Sequence, residues 1–136
     1  MKSILIFLMM VVMVLMATTA FGQTWHTADQ KTVGWDAVTA NTNGDIIPTD
    51  QISYTVYLYN AVTDPNHLNA VTLGSTVETQ YLITLGVEGR FFWGVKSVRT
   101  IEGDVVGESA IIWTSLPEYD FGIQFYFAPM EPGGLN

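Results

Sequence analysis

Ile52-Ser53-Tyr54-Thr55-Val56-Tyr57-Leu58-Tyr59-Asn60 is the stretch that decides the fold class. Ile52, Tyr54, Val56 and Leu58 recur at every second position, with Ser53, Thr55, Tyr57 and Tyr59 between them. Successive side chains of an extended chain point to opposite faces, so this alternation predicts a strand with one face in a core. The other face meets solvent or a neighbour. Outward from it the same rhythm repeats. Residues 32–38 place Val33 and Trp35 on one side, then break into the loop-forming Asn41-Thr42-Asn43-Gly44-Asp45. Asp64 and Pro65 start a turn before a short edge strand at 71–73. Tyr81, Ile83 and Leu85 alternate, as do Phe91, Trp93, Val95 and Ser97 against Phe92, Gly94, Lys96 and Val98. Glu102-Gly103-Asp104 turns the chain toward a last strand at 109–114. After residue 22, no apolar stripe holds a 3.6-residue period for three turns. With a weak opening strand near Trp25, the pattern predicts an all-β domain of about seven strands at the spacing of a sandwich.

The first 22 residues read differently. Lys2 is followed by an apolar run over 4–17 and by small residues ending in Ala20-Phe21-Gly22, the order of a secretory signal helix. Cleavage is expected before Gln23, placing the product outside the cell or in a periplasm. The alternative is an uncleaved anchor, since 4–22 approaches the roughly 20 residues of a bilayer span. The expected organisation is therefore 1–22 signal peptide, 23–116 β-sandwich, and 117–136 an aromatic strand with a Pro/Gly tail.

Removal of 22 residues from 136 leaves 114, one domain's worth. With no cysteine, that domain must be held by its apolar core alone, without disulfides or a thiol nucleophile. Lys31, Arg90, Lys96 and Arg99 then face 13 acidic residues. So acidic a surface repels phosphate backbones and anionic lipid, which argues against nucleic acid and leaves the signal segment as the one expected membrane contact.

The order Val33-Gly34-Trp35-Asp36, then Tyr54 and Val56, then Leu85, Gly89, Phe91, Trp93 and Val95, then Gly107 and Ser109, resembles the fibronectin type III family over roughly 24–114. The resemblance implies a seven-stranded immunoglobulin-like sandwich with Trp35, Tyr54, Phe91 and Trp93 in the core. It departs from the family where a corner tyrosine is expected and Phe91 stands, and where Thr24-Trp25-His26 replaces an opening proline-rich strand. In parts of the family the loop before the last strand carries Arg-Gly-Asp. Here Glu102-Gly103-Asp104 stands there with the first charge reversed, so no integrin function carries over.

No catalytic constellation is present. His26 and His67 are the only histidines and sit in no metal-ligand spacing. Carboxylates gather at Asp45 with Asp50 and at Glu102 with Asp104 and Glu108, both readable as Ca²⁺ ligands or as ordinary Asp-rich turns. The expectation is a non-enzyme with no catalytic, cofactor or metal residues. The candidate binding surface is aromatic: Tyr57, Tyr59 and Phe92 on the outward face, and Phe121, Phe125 and Phe127 on an extra C-terminal strand at 121–128; the loop between the last two strands, Glu102-Gly103-Asp104, is a separate candidate. The partner expected is a protein or a surface polysaccharide. Alternatively the chain is a structural subunit of an extracellular or virion assembly, a homo-oligomer joined by the 121–128 strand, or a carbohydrate-binding module. That strand either covers its own domain, shielding Tyr57 and Phe92, or completes a neighbour's sheet.

Overall fold

The computed structural model describes residues 23–134. The signal-peptide expectation lies outside them. The described chain is all-β apart from one short 3-10 turn at Thr49–Gln51. Its strands are β1 (Thr24–Thr27), β2 (Gln30–Gly34), β3 (Ile52–Asn60), β4 (Val71–Thr76), β5 (Gln80–Thr84), β6 (Gly89–Ile101), β7 (Asp104–Glu108), β8 (Ile112–Trp113) and β9 (Phe121–Phe125).

The alternating stretch that opened the reading is the centre of the molecule. β3 pairs antiparallel with β6 from Ile52↔Arg99 to Asn60↔Phe91, and β4 lines its other side. Long β6 carries β9, β8 and β7 in turn along its remaining edge, and β1 joins parallel to β9. That makes one seven-stranded sheet, while β2 and β5 form a separate antiparallel pair. The two layers meet over Val33 and Ile83 on one side and Val56, Leu58, Phe91, Trp93 and Ile123 on the other, all buried. Removing that apolar surface from water is the main stabilising term available to a chain without disulfides.

Three expectations change. The described residues form nine strands, because the chain pairs again immediately after a two-residue turn and then breaks. Glu102 and Gly103 both have positive φ, 52° and 87°, and Ile101 faces Asp104 across the turn. Two left-handed central residues match the twist of a tight hairpin, so β7 begins at Asp104 rather than at 109. Secondly, the chain after Pro117 is no appendage to the fold. β9 supplies Ile123 to the core and is the sole strand partner of β1 among the described residues. It lies within the sheet, between β1 and β6, and so does not stack over Tyr57 or Phe92. Thirdly, it stops at Phe125, opposite Gly89, because β6 offers no backbone beyond that residue to pair with.

Two close approaches fix the outer face of this sheet. A Cβ on Gly94 would run into the Trp113 indole and the Ile111 side chain, and one on Gly122 would sit 2.6 Å from the Phe91 carbonyl and 2.5 Å from Trp25. Both tryptophans therefore lie flat against bare backbone. They roof a second aromatic layer of buried Tyr59 and Phe92, with Tyr57 partly buried beside them.

Candidate functional site

The six aromatic candidates do not form one open patch. Tyr59 and Phe92 are buried, packed on Trp113 and Trp25 at centroid distances of 5.1 Å each. Tyr57 meets Trp113 edge-on at 6.2 Å and carries the Lys96 ammonium 5.7 Å from its ring centroid. Tyr57 first, and Glu108 at 3.2 Å second, hold that ammonium above the ordinary lysine pKa. Phe125 packs partly buried against the main core. Phe121 and Phe127 are exposed, the second turned onto Phe125 at 4.9 Å. The outer face expected to bind is thus largely a closed second core.

The residues named for chemistry are scattered. His67 stacks over Trp113 at 4.9 Å, held in a loop whose Asp64 carboxylate accepts the N–H groups of Leu68 and Asn69. His26 stands on β1, far along the sheet from Glu102 and Asp104 at the hairpin tip. The Asp45 turn is organised by Asn41 Oδ1, which accepts from the N–H of Asn43 and of Asp45. Among the described residues no three His, Asp or Glu side chains gather as metal ligands do.

What the structure assembles instead is a groove of about 480 Å³ between the two layers. The flanks of the layers are finished differently. On the β4–β5 side the Tyr81 hydroxyl donates to the Leu73 carbonyl at 3.0 Å and ties one layer to the other. On the opposite side β2 ends at Gly34. The Trp35 N–H makes a last bond to the Thr79 carbonyl at 3.0 Å, and the chain then leaves its sheet, caught again where the Val38 N–H donates to the Tyr54 hydroxyl at 2.9 Å.

The facing wall is equally broken: β7 stops at Glu108 and Ser109 bonds back to Ser97 through both backbone and hydroxyl. Thr114 then clasps Trp93, accepting the Trp93 N–H on Oγ1 at 3.2 Å and giving its own N–H to the Trp93 carbonyl at 2.9 Å. A turn closed on the Leu116 carbonyl brings Tyr119 and Phe121 to the mouth.

The groove is lined by Trp35, Tyr54, Trp93, Tyr119 and Phe121, with Asp36, Ser97, Ser109 and Thr114 among the polar members. Trp93 lies 6.2 Å from both Trp35 and Phe121, and Trp35 packs on Tyr54 at 5.4 Å. Trp35 was expected wholly in the core and is only partly buried, because the strand carrying it ends one residue earlier. Its indole Nε1 is out of contact with water yet has no hydrogen-bond partner, alone in this among buried side-chain polar atoms of the described residues. A buried donor without an acceptor forfeits about 1–3 kcal/mol. Concave aromatic walls with a few convergent polar groups are the usual make-up of a binding pocket.

No family model, curated protein or solved structure matches this chain.

Sequence reasoning had Trp35, Tyr54, Trp93 and Phe121 in hand but assigned them to the core or to an outer surface, and Tyr119 to nothing. No local signal collects them, because they come from four separate segments.

Proposed function

We propose that this chain is an exported, non-catalytic binding module, immunoglobulin-like in the manner of a fibronectin type III domain, that recognises an extended protein segment in the groove between its layers. The observation that carries the reading is the aromatic groove itself, walled by Trp35, Tyr54, Trp93, Tyr119 and Phe121 with Asp36, Ser97, Ser109 and Thr114 among its polar members. An extended peptide supplies apolar side chains for the rings and, between them, backbone groups for the polar members of the lining. The scattered positions of His26, His67 and the carboxylates support binding rather than chemistry. The order of Trp35, Tyr54, Phe91 and Trp93 along the chain, with the latter three buried, supports the family likeness.

The test is a binding screen of the folded domain against immobilised extended peptides and insoluble polysaccharides, repeated with Tyr119→Ala and Phe121→Ala. Peptide retention that both substitutions weaken at unchanged melting temperature supports the reading. Retention by polysaccharide alone, or retention indifferent to both substitutions, refutes it.

A further inference from the structure

The groove follows the edge of a strand as well as the space between layers. Its narrow continuation, about 170 Å³, is lined by Lys31, Thr32, Val33 and Gly34 and shares Gly34, Trp93 and Phe121 with the wider part. Successive side chains of a strand point to opposite faces, so four consecutive residues of β2 line one cleft only along an edge. The other edge of β2 is occupied by β5. The Leu85 N–H donates to the Asp29 carbonyl at 2.7 Å and the Trp35 N–H to the Thr79 carbonyl at 3.0 Å, which fixes odd-numbered residues as those whose backbone groups point at β5. The N–H and C=O groups of Gln30, Thr32 and Gly34 therefore point the other way. All three residues are exposed, and among the described residues those groups have no partner. β1, next to β2 in the chain, has crossed to the other layer and lies parallel to β9. A strand position beside β2 is thus open, and it runs along the aromatic groove.

The two sides of that position set what fits it. The edge offers donors and acceptors in alternation, which another extended backbone answers in series. On the cleft side Val33 is buried, and Lys31 lies two residues before it on the same face of β2. Its ammonium makes no ion pair among the described residues, where the single such pair is Lys96 with Glu108. An inward-pointing charge on an edge strand disfavours indiscriminate pairing, because a wholly apolar added strand would desolvate it without an answer. A strand that brings a carboxylate to the same place removes that cost.

We infer that the groove captures its protein ligand by strand addition. A segment free of proline at the pairing positions adds to β2 beside Gln30, Thr32 and Gly34, with apolar side chains alternating into the cleft and one acidic side chain against Lys31. This rests on the groove being a binding site, as argued above, and gives the class of segment it takes.

The experiment uses the full processed chain and synthetic peptides of about six residues, an ordinary strand length, in which valine alternates with threonine and glutamate replaces each valine in turn. Amide hydrogen exchange is expected to show the N–H groups of Thr32 and Gly34 becoming protected by the best-bound peptide, while those of Lys31 and Val33, already bonded to β5, change little. Methylating the peptide nitrogens one at a time should weaken binding about tenfold, the equivalent of one hydrogen bond, at every second position and leave the positions between unaffected. Lys31→Gln should abolish the preference for glutamate-bearing peptides over the parent without glutamate. Thr32→Pro places proline on the open side of an edge strand, where the fold tolerates it, and should abolish binding. The methylation series tests the same edge on an unaltered protein.

A peptide that binds without new protection at Thr32 and Gly34, or without alternation in the methylation series, overturns strand addition; dependence of the same binding on Tyr119 and Phe121 then leaves the groove reading standing. A glutamate preference that Lys31→Gln retains overturns the charge match. Protection of the same amides that rises with protein concentration in the absence of peptide assigns the edge to a second copy and overturns the proposal as well. If no peptide of the panel binds, strand addition falls, and the wider screen described above decides the groove reading separately.

Discussion

Trp35 concentrates the unusual energetics of the molecule in one atom. An indole N–H sealed from water without a partner is a standing cost, so removing it should not harm the free fold. Trp35→Phe is expected to change the unfolding free energy by less than about 1 kcal/mol, lost ring contact being offset by relief of the orphan donor. Urea denaturation checks this, and a loss above about 3 kcal/mol would mean that the N–H is satisfied in solution. Gly122 behaves oppositely. Its Cβ would meet the Phe91 carbonyl, which belongs to the sheet backbone and cannot swing aside, so Gly122→Ala should cost about 1–3 kcal/mol. Trp113 roofs the second aromatic layer, and Trp113→Ala should cost about 3–5 kcal/mol, as much as a residue of the principal core. A loss below about 1 kcal/mol for Trp113→Ala would show the outer layer to be loosely held.

At the level of elements, the β6–β7 hairpin is the place to gain stability. Glu102 adopts φ +52° in a two-residue turn, a conformation that asparagine tolerates far better. Glu102→Asn is expected to stabilise by about 0.5–1 kcal/mol, seen as a higher urea midpoint at unchanged slope. This hairpin also shows where strands escape detection. β3 was legible because its two faces have different environments, one buried throughout and the other partly covered. All five residues of β7 are exposed, so Asp104-Val105-Val106-Gly107-Glu108 carries no alternation to read. β9 was legible at its start and overrun at its end. Tyr126 and Phe127 continue the apolar run, but a strand needs a partner, and where β6 begins is settled by the chain around Gly89 rather than by residues 126–128.

Over the whole molecule, the all-β class and the core of Val56, Leu58, Phe91 and Trp93 followed from two-residue periodicity, because burial between layers is what that periodicity encodes. The groove did not. Whether an aromatic side chain lines a core or an opening depends on whether the neighbouring strand continues, and β2 stops at Gly34 for want of a partner beyond Thr79. Occupancy of that opening should raise the melting temperature in proportion to the logarithm of ligand concentration, and Tyr119→Ala should blunt the rise. Scanning calorimetry with a peptide that the domain retains makes the measurement.

β1 and β9, the first and last strands of the described chain, lie side by side and parallel, four residue pairs in register from Thr24↔Phe121 to Thr27↔Gln124. Tension applied between the two ends of the domain pulls these strands in opposite directions along their length, so their hydrogen bonds are strained together in shear instead of being peeled one at a time. Pulling from residue 24 to residue 125 should therefore require a larger rupture force than pulling across the hairpin tip at Gly103.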